Sequence, residues 1–593
     1  MATYPQLKVE SANVRYLPDG HVESDYEYEH VRCELDAGAN TLKAKPVKTQ
    51  ITFKTQSKAP KTGVMLVGWG GNNGTTLTGA ILANKHKMSF ETKDGKVEAN
   101  YFGSVTQAST IFVGVDEATN ADMYVPLKDI VPMVAPNELV LDGWDISGHN
   151  MAEAMVRARV FDVSLQAQLK PLMAPLKPRR AIFDPKFVAA NQAERADNCL
   201  PESMSKWQQV EQVRADIEQF KRANQLDKVI VLWTANTERY SDHIEGVHDT
   251  ADNLLAAIKR DESELAPSAL YAVAAILSGS AYINGSPQNT FCAGLIELAE
   301  RHQTFIGGDD FKSGQTKFKS VLVDFLVSAG IKPCSIVSYN HLGNNDGYNL
   351  SAPQQFRSKE ISKSSVVDDM VHSNQLLYGK GLAHPDHCIV IKYVPYVADS
   401  KRAMDEYISE LMLGGKNTLV VHNTCEDSLL AAPLIIDLIL VTELCQRVAF
   451  RVHNPNKVTD FQSFNAVLSV LSYMCKAPLV ERGAKVTNAL FKQRACLENL
   501  LRALVSLPPI NHMDFEHKLS RKADWYEAPV GACVQEPIVN RSRRYEIQQE
   551  MDVRISKQSA VTAAANEAGL SKSKSILGNG APSSAAAKMT AGH

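Results

Sequence analysis

The chain has 593 residues and a mass of 65.1 kDa, which is long enough for more than one hydrophobic core. Hydrophobic residues make up 44% and charged residues 22% of it, as in an ordinary globular protein. The formal net charge of -3 gives no electrostatic reason to expect nucleic acid or an anionic membrane as a partner, so an anionic substrate must be held by a local cluster of cations.

The ten cysteines are scattered, and no two have the CxxC spacing of a zinc ribbon or a thioredoxin-like site. We therefore expect no metal site and a reducing compartment, the cytoplasm. The N-terminus lacks the charged and apolar regions of a signal peptide. The most apolar segment, residues 429–441, contains Pro433 and Asp437 and is too short to span a bilayer.

The first half of the chain alternates strand-like and helix-like segments. Residues 1–62 are polar and predict an extended N-terminal arm. Strand-like runs follow at 64–67, 111–115, 138–141 and 229–233, with helical stretches at 150–159 and 250–259. This alternation predicts an α/β fold with a doubly wound parallel sheet, a Rossmann-like domain over residues 63–316.

From residue 317 the pattern changes. A helix at 317–329 and strands at 335–338, 388–392 and 418–421 predict a second α/β layer over residues 317–430, inserted in the first domain. Long helices at 429–450 and 488–507 predict a return segment, residues 431–520, that covers the first sheet. Residues 521–593 form a C-terminal extension, and its Ala-, Ser-, Gly- and Lys-rich composition predicts disorder from about residue 556.

A glycine cluster, residues 68–74, follows the first strand and precedes a helix-compatible run. Glycines there let backbone N–H groups approach a pyrophosphate at a helix N-terminus. The usual third glycine is replaced by Asn73, and Gly74 comes one residue late, so a tight strand-to-helix turn is the alternative interpretation. The acidic residue that binds a ribose hydroxyl is Asp116 or Asp145; spacing does not choose between them, and either also suits a helix cap.

Four further loops, at 232–239, 284–290, 307–316 and 340–347, are dense in polar residues and glycine. Several follow strand-like runs, so they are expected to meet at the carboxyl ends of the strands, where open α/β sheets bind ligands. Each loop alone is equally typical of a turn. Residues 313–316 precede a helix and suit a phosphate, or else form a solvated first turn.

Lysines supply the most specific hypothesis. Lys359 and Lys363 are four residues apart, on one helix face, where like charges repel mildly unless an anion lies between them. Each of the four lysines, Lys359, Lys363, Lys401 and Lys476, is by itself compatible with a solvated surface. The sequence shows no nucleophile elbow and no HExxH zinc pattern.

The strings at 68–74, 284–290, 341–347, 359–363, 387–392, 399–401, 425–428 and 476–478 together resemble the eukaryotic inositol-3-phosphate (inositol-1-phosphate) synthases. The resemblance covers roughly residues 10–515. It implies a homotetramer with a split NAD-binding domain and an inserted catalytic and tetramerisation domain. It also implies a redox-neutral isomerisation of glucose 6-phosphate, the first committed step of inositol biosynthesis: oxidation at C5, enolisation, aldol closure onto C1 and reduction at C5.

The resemblance implies a role for each site residue. The catalytic set comprises Lys359, Lys363, Lys401, Lys476, Asp310 and Asp427. Substrate phosphate is assigned to Ser313, Gly314, Gln315 and Thr316. Cofactor binding is assigned to Gly68, Gly70, Gly71, Asn72, Asn73, Gly74, Asp145, Ile146, Gln192, Arg195, Thr234, Ala235, Asn236, Thr237, Gly285, Ser286, Asn344, Asn345, Asp346, Asp399 and Ser428.

One position departs from the family pattern: Ala398 stands where the family usually has glycine before the Asp-Ser-Lys turn. If that backbone requires a positive φ, alanine costs about 1 kcal/mol. Two rival functions stay open, a conventional NAD-dependent sugar-phosphate dehydrogenase that releases an oxidised product and a non-catalytic NAD-binding scaffold.

Overall fold

A computed structural model describes residues 7–116, 121–379, 384–454, 456–457, 459–513 and 515. The chain divides into two compact units, residues 1–114 with 123–513 and residues 115–122 with 514–593. The cavity described below is lined by residues of the first unit. The predicted C-terminal extension, residues 521–593, lies outside the described residues.

The strands and helices are numbered in chain order. The strands are β1 Val14–Tyr16, β2 His21–Asp36, β3 Thr41–Gln56, β4 Thr62–Val67, β5 Ser89–Thr92, β6 Gly95–Glu98, β7 Thr110–Val115, β8 Asp122–Pro126, β9 Val140–Asp145, β10 Arg179–Arg180, β11 Lys228–Trp233, β12 Ala281–Asn284, β13 Ile306–Gly307, β14 Lys332–Leu342, β15 Asp386–Tyr393, β16 Ser400–Glu410, β17 Lys416–Glu426, β18 Val448–Val452 and β19 Gln462–Ser463. The helices are α1 Asn72–Lys85, α2 Val105–Ala108, α3 Met151–Ala158, α4 Val163–Met173, α5 Lys206–Ala223, α6 Ala251–Lys259, α7 Pro267–Leu277, α8 Ala293–Arg301, α9 Gln315–Ser328, α10 Asn345–Asn349, α11 Pro353–Ser364, α12 Asp368–His372, α13 Asp427–Cys445 and α14 Leu490–Ala503.

A six-stranded parallel sheet in the order β10-β9-β4-β11-β12-β13 forms the centre of the first domain. Every residue of β4 is buried, as a strand covered on both faces requires. Val64 and Leu66 pack into one hydrophobic core, and Met65 and Val67 into a second on the opposite face. The predicted α/β fold with a parallel sheet is confirmed.

The strand predicted at 111–115 is real but is not part of that sheet, because β7 pairs with β8 in a separate ribbon. Of its residues only Ile111 is buried, and Thr110 and Val115 are exposed. A central parallel strand needs cover on both faces, which this segment lacks.

The polar N-terminus is more regular than the extended arm that was predicted. β2 and β3 form a hairpin of two 16-residue strands, and β3 pairs with β18 in a five-stranded antiparallel sheet. The helix predicted over 429–450 therefore ends earlier, at Cys445, since Val448 begins β18. Phe53 of β3 packs against Phe450 of β18, with ring centroids 6.4 Å apart, and this contact fixes the pairing.

The second sheet, in the order β15-β14-β16-β17, lies within residues 332–426. The strands predicted at 335–338, 388–392 and 418–421 are confirmed, and β16 is an additional strand. One face of this sheet is buried: Ile336 and Tyr407 pack against Val323 of α9 and Val367. The helix predicted at 317–329 is α9, which begins two residues earlier, at Gln315.

α13 is 19 residues long and the one helix among the described residues that is long and apolar enough to cross a membrane. Its most apolar window is 83% buried, however, and a core helix passes the same test. It packs in the first core, and the carboxylate of its Asp437 accepts hydrogen bonds from Ser104, Val105 and Thr106.

Candidate active site

One cavity of about 1320 Å³, part of it open to solvent, lies at the carboxyl ends of the parallel strands and faces the second sheet. The loops after β4, β11 and β12 form one wall, as expected for an open α/β sheet. Loop residues 344–346 and side chains from α11, β16 and α13 form the opposite wall. The four polar loops of the sequence therefore meet in one place.

The glycine loop makes the turn from β4 to α1. Gly68 has φ +86°, and a Cβ there would lie 2.6 Å from the Cα of Ala235. A Cβ on Gly74 would lie 2.1 Å from the carbonyl oxygen of Trp69, which explains the late glycine, whereas Asn73 lines the cavity. α1 has no side-chain cap and no acidic residue in its first turn, so its N-terminus suits a pyrophosphate.

Asp145 ends β9, next to β4 in the sheet, and lines the cavity with Ile146. Its side chain accepts a hydrogen bond from the backbone N–H of Ser147 and lies 3.9 Å from the guanidinium of Arg195. A Cβ on Gly70 would lie only 3.2 Å from its Oδ2. Asp116, the other candidate, follows β7 outside the parallel sheet. Of the two, Asp145 is the carboxylate that lies beside the glycine turn and lines the cavity.

An amide network joins the two sheets at the cavity wall. Gln192 accepts hydrogen bonds from the Nδ2 atoms of Asn236, at 2.7 Å, and Asn345, at 2.9 Å. Asp346 accepts from the backbone N–H and the hydroxyl of Thr237. Gln192 and Thr237 thus lie behind the wall and position the residues that form it.

Three other assigned residues are positioned by packing or by hydrogen bonds to the backbone. A Cβ on Gly285 would lie 2.0 Å from the Phe311 ring, so glycine there admits that ring. Ser286 donates to the carbonyl of Ala235. Thr234, also in the cavity wall, donates to the carbonyl of Val67. These contacts join the loops after β4, β11 and β12.

Asp399 is buried between the glycine loop and the start of α13. It accepts hydrogen bonds from the hydroxyl and N–H of Ser428 and from Nδ2 of Asn72. Burial, and then the nearby charge of Asp427, raise the pKa of Asp399 to about 6. Ala398 has φ +48° and ψ -123°, so the condition under which alanine was expected to cost stability is met.

Asp310 lies at the centre of the lysine cluster. Its Oδ1 accepts from the ammonium groups of Lys359, at 2.8 Å, and Lys476, at 3.2 Å, and its Oδ2 accepts from the hydroxyl of Ser362. Asp427 is 3.5 Å from the ammonium of Lys401 and accepts from Asn344. Each carboxylate therefore positions lysines, and α11 carries both Lys359 and Ser362 on one face.

The lysines differ in proton affinity. Burial lowers the pKa of Lys476 to about 7, although Asp310 opposes the change. Burial acts most strongly on Lys359 too, but the carboxylates of Asp310, Asp346 and Asp427 together outweigh it and raise the pKa of that lysine. Burial would raise the pKa of Asp310, yet the two lysines hold it below its ordinary value. The site thus contains a stable ammonium beside an amine that titrates near neutral pH, an arrangement suited to proton transfer.

Lys363 lies deeper. Its ammonium donates to Oε1 of Gln315 at 3.0 Å and to Oδ1 of Asn340 at 2.8 Å. Burial, and then the charges of the neighbouring lysines, hold its pKa well below the ordinary value. Lys363 and Lys359 share a helix face, as predicted, but each has its own polar partners.

The predicted phosphate loop leads into α9. Gly314, with φ +49°, is the N-cap residue, and no side chain caps the helix. Ser313 lines the cavity, while Gln315 and Thr316 are buried in the first turn. With no acidic residue in that turn, the N-terminus of α9 suits an anion.

The cavity thus brings most assigned residues together. Those that line it are Gly68, Gly71, Asn72, Asn73, Asp145, Ile146, Arg195, Thr234, Ala235, Asn236, Gly285, Ser286, Asp310, Ser313, Asn344, Asn345, Asp346, Lys359, Lys401, Asp427 and Lys476. Those outside its lining are Gly70, Gly74, Gln192, Thr237, Gly314, Gln315, Thr316, Lys363, Asp399 and Ser428. Sequence reasoning missed Ser362 and Asn340; only the i, i+3 spacing from Lys359 points to Ser362.

The glycine turn at a strand end and the buried lysine cluster line the same cavity, which suits an enzyme that binds a dinucleotide beside an anionic substrate. The family profile described as myo-inositol-1-phosphate synthase, an NAD-binding domain, matches residues 62–502. The chain is 60% identical over 535 residues to inositol-3-phosphate synthase 1-B of Xenopus laevis, covering 90% of this chain and 93% of the relative. It is 59% identical to inositol-3-phosphate synthase 1 of Homo sapiens, covering 88% and 91%.

Among solved structures, inositol-3-phosphate synthase from Caenorhabditis elegans matches with a TM-score of 0.84 and 54% identity, covering 88% of this chain and all of that one. The chain belongs to the myo-inositol-1-phosphate synthase family. It is an enzyme, and its dinucleotide is NAD.

Proposed function

We propose that the protein converts D-glucose 6-phosphate to 1D-myo-inositol 3-phosphate, the first committed step of inositol biosynthesis. The observation that carries the proposal is the pair of lysines on Asp310, which face a cavity whose other end has the features of a dinucleotide site. A non-catalytic scaffold has no use for several buried ammonium groups, each of which is costly to desolvate.

The glycine loop and the N-terminus of α1 would hold the pyrophosphate, and Asp145 the adenosine ribose. Asn344, Asp399 and Ser428 would lie at the nicotinamide end. When bound there, NAD supplies the hydride acceptor and donor for C5, so that the overall reaction is redox-neutral.

The lysines act on the sugar. Lys476, whose pKa is about 7, would take the C5 hydroxyl proton as the ketone forms and return it when the ketone is reduced. The ketone acidifies C6, which gives up a proton to form the enolate. The enolate carbon attacks the C1 aldehyde, and the C1 oxygen takes up one proton as the C1–C6 bond forms, so ring closure consumes and releases no net proton. Lys359, which stays charged beside Asp310, would stabilise the oxyanions that develop, because a fixed cation in a desolvated site is worth far more than one in water.

Lys363, Lys401 and residues 313–316 would hold the phosphate. Within this group, Lys363 donates a hydrogen bond to Gln315. Lys401 donates to Asp427, which ties the group to the start of α13. Holding the phosphate at the N-terminus of α9 fixes one end of the open-chain sugar and thereby orients C5 and C6 toward Lys476 and Lys359.

The test is to incubate the protein with glucose 6-phosphate and NAD and to follow inositol phosphate and NADH together. We expect product without net NADH; NADH equal to product would establish the dehydrogenase instead. Lys359→Ala and Lys476→Ala should abolish product while NAD still binds, and Lys170→Ala, an exposed lysine on α4, serves as the control. Wild-type turnover in both site variants would refute the assigned roles.

We also propose a homotetramer. The face of the second sheet opposite its core carries exposed Tyr339 and Val420, 48% and 69% exposed, and the β16–β17 turn exposes Met412 and Leu413. Exposed aromatic and aliphatic side chains grouped in this way are typical of a surface that another copy covers. Sedimentation should give four times 65.1 kDa. Val420→Glu should lower that mass, whereas Val156→Glu on α3 should not.

A cytoplasmic location is proposed as well. All the cysteines in the described residues are free thiols, which suits a reducing compartment. Fractionation of the source cells, with a tag at either end of the chain, tests the location. Recovery in a secreted or membrane fraction would contradict it.

A further inference from the structure

Lys319 on α9 is a buried lysine without an assigned function. It is 2% exposed, and its ammonium lies 2.7 Å from Nε2 of His387 on β15. Burial, and then the charge of Lys319, lower the pKa of His387 to about 2, so the ring is neutral and accepts the hydrogen bond. An ammonium group has three N–H donors, and among the described residues it has this single acceptor.

The contrast with Lys312 shows how unusual this is. Lys312 is equally buried, but its ammonium donates to the carbonyl and side-chain oxygens of Asn488 and to Oε1 of Gln493. Lys312 therefore has a full set of acceptors and needs no ligand. Two donors of Lys319 have none among the described residues, although buried donors are costly to leave unpaired.

The direction of the side chain is set by the helix. Lys319 comes four residues after Gln315, so both lie on the same face of α9, and helical side chains lean toward the N-terminus. The N-terminus of α9 is the proposed phosphate loop. Lys319 therefore lies beneath that loop, next to Lys363, whose pKa its charge helps to lower.

The buried charges around Lys319 and Lys363 do not balance. The ammonium of Lys319, whose pKa burial lowers to about 8, and the positive end of α9 meet one buried carboxylate, Asp405. The charges of Lys319 and of the other lysines also help to hold the pKa of Lys363 well below its ordinary value. Asp405 is already a partner of Gln315 and of the Tyr407 hydroxyl. Buried positive charge in excess of its partners is stabilised by an anion.

We propose that Lys319, held in place by His387, is a further cation of the phosphate-binding subsite, acting from below Gln315 and Lys363 on the phosphate group of the substrate. This inference rests on the proposed function for the identity of the substrate but not for the existence of the anion site. His387 is a positioning residue, because its ring nitrogen accepts the hydrogen bond that holds the ammonium of Lys319.

The experiment measures phosphate binding without turnover. Inorganic phosphate is titrated calorimetrically into the NAD-loaded protein, and the Michaelis constant for glucose 6-phosphate is measured separately. Lys319→Met should weaken phosphate binding at least about tenfold and raise that Michaelis constant by a similar factor, with NAD affinity unchanged within twofold. Lys317→Met is the matched control, because the side chain of Lys317 projects from a different face of α9 and lies over the Tyr473 ring. We expect this variant to change neither phosphate binding nor the Michaelis constant.

A second pair of variants keeps the test decisive if Lys319→Met does not fold. His387→Gln keeps an acceptor for the ammonium and should bind phosphate nearly as the wild type does, whereas His387→Leu should weaken binding. The inference is overturned if the wild type binds no inorganic phosphate, or if the leucine and glutamine variants bind it equally. A loss of NAD affinity in parallel with phosphate affinity would also overturn it, as a general structural effect. Failure to make inositol phosphate would instead refute the proposed function and leave the phosphate titration interpretable.

Discussion

Asp310→Asn is the substitution that most directly tests the electrostatic design of the site. The wild-type carboxylate is 2% exposed and accepts from Lys359 and Lys476 through one oxygen. Asparagine keeps the shape of the side chain and removes the negative charge. Both ammonium groups then lose the partner that favours their protonated form.

The distance sets the magnitude. At the observed 3.2 Å between Lys476 and Asp310, two unit charges attract by about 5 kcal/mol at an effective dielectric constant of 20 and by about 1 kcal/mol in bulk water. Each 1.36 kcal/mol changes a proton affinity about tenfold. The pKa of Lys476, already lowered to about 7 by burial, must therefore fall well below neutral in the variant.

The pH dependence of kcat for inositol phosphate formation reports this change. If Lys476 accepts the C5 hydroxyl proton, the wild type loses activity as pH falls through about 7, because the amine becomes protonated. In Asp310→Asn that acid limb should move to lower pH, while the maximal rate falls since Lys359 is no longer held as an ammonium. The second ionisation of the substrate phosphate, near pH 6, is common to both enzymes and cancels in the comparison.

Ser362→Ala is the control, since it removes one hydrogen bond to Asp310 and leaves both ion pairs in place. We expect its acid limb to stay where the wild type has it. An Asp310→Asn enzyme whose activity falls uniformly, with the limb unmoved, would show that Asp310 has only a structural role and that Lys476 is not the titrating base.

Three further outcomes are expected. Ala398→Gly should raise the free energy of unfolding by about 1 kcal/mol, seen as a higher thermal midpoint with unchanged kcat, because φ is positive there; an unchanged midpoint would contradict the strain. Asp437→Ala leaves the buried donors of residues 104–106 without their acceptor. It should lower the free energy of unfolding by about 3 kcal/mol or more, measured by thermal unfolding, with no change in the Michaelis constant of the folded enzyme. Gly68→Ala should weaken NAD binding in calorimetry, because its Cβ would collide with Ala235, whereas Gly148→Ala, whose Cβ has no neighbour closer than 3.5 Å, should bind as the wild type does.

The sequence predicts the central strands of the parallel sheet, β4, β9 and β11, but not the short strands β10, β12 and β13. β4 and β11 are recognisable because they are continuous apolar runs that end at polar loops, a combination typical of a strand covered on both faces. Of the second sheet, the sequence predicts every strand except β16. β16 was missed because its buried face includes Asp405 and Ser409 beside Ala403 and Tyr407, so hydrophobic periodicity alone does not reveal it. The long N-terminal hairpin was missed for a similar reason, since half of the residues of β2 are exposed and only Ser24 is buried.

At the site, residue types and motif spacing predict which loops meet, but not how the charges pair. Sequence places Lys359 and Lys363 on one helix face. In the structure, Lys359 contacts Asp310 and Lys363 contacts Gln315. This difference depends on how α11 packs between the sheets. The choice of Asp145 over Asp116 likewise depends on strand order, because only β9 lies next to β4. Lys319 carries no signal in the sequence at all, since a single lysine in an amphipathic helix is ordinarily solvated.

The junction between Glu426, which ends β17, and Asp427, which begins α13, has no linker residue. No residue between them can absorb a change in length, so one residue inserted at this point would either move Asp427 relative to Lys401 or turn α13 by about 100° out of its buried position. We therefore expect chimeras between relatives to tolerate length changes at the exposed turn of residues 411–415 and to lose catalysis when the junction gains or loses a residue.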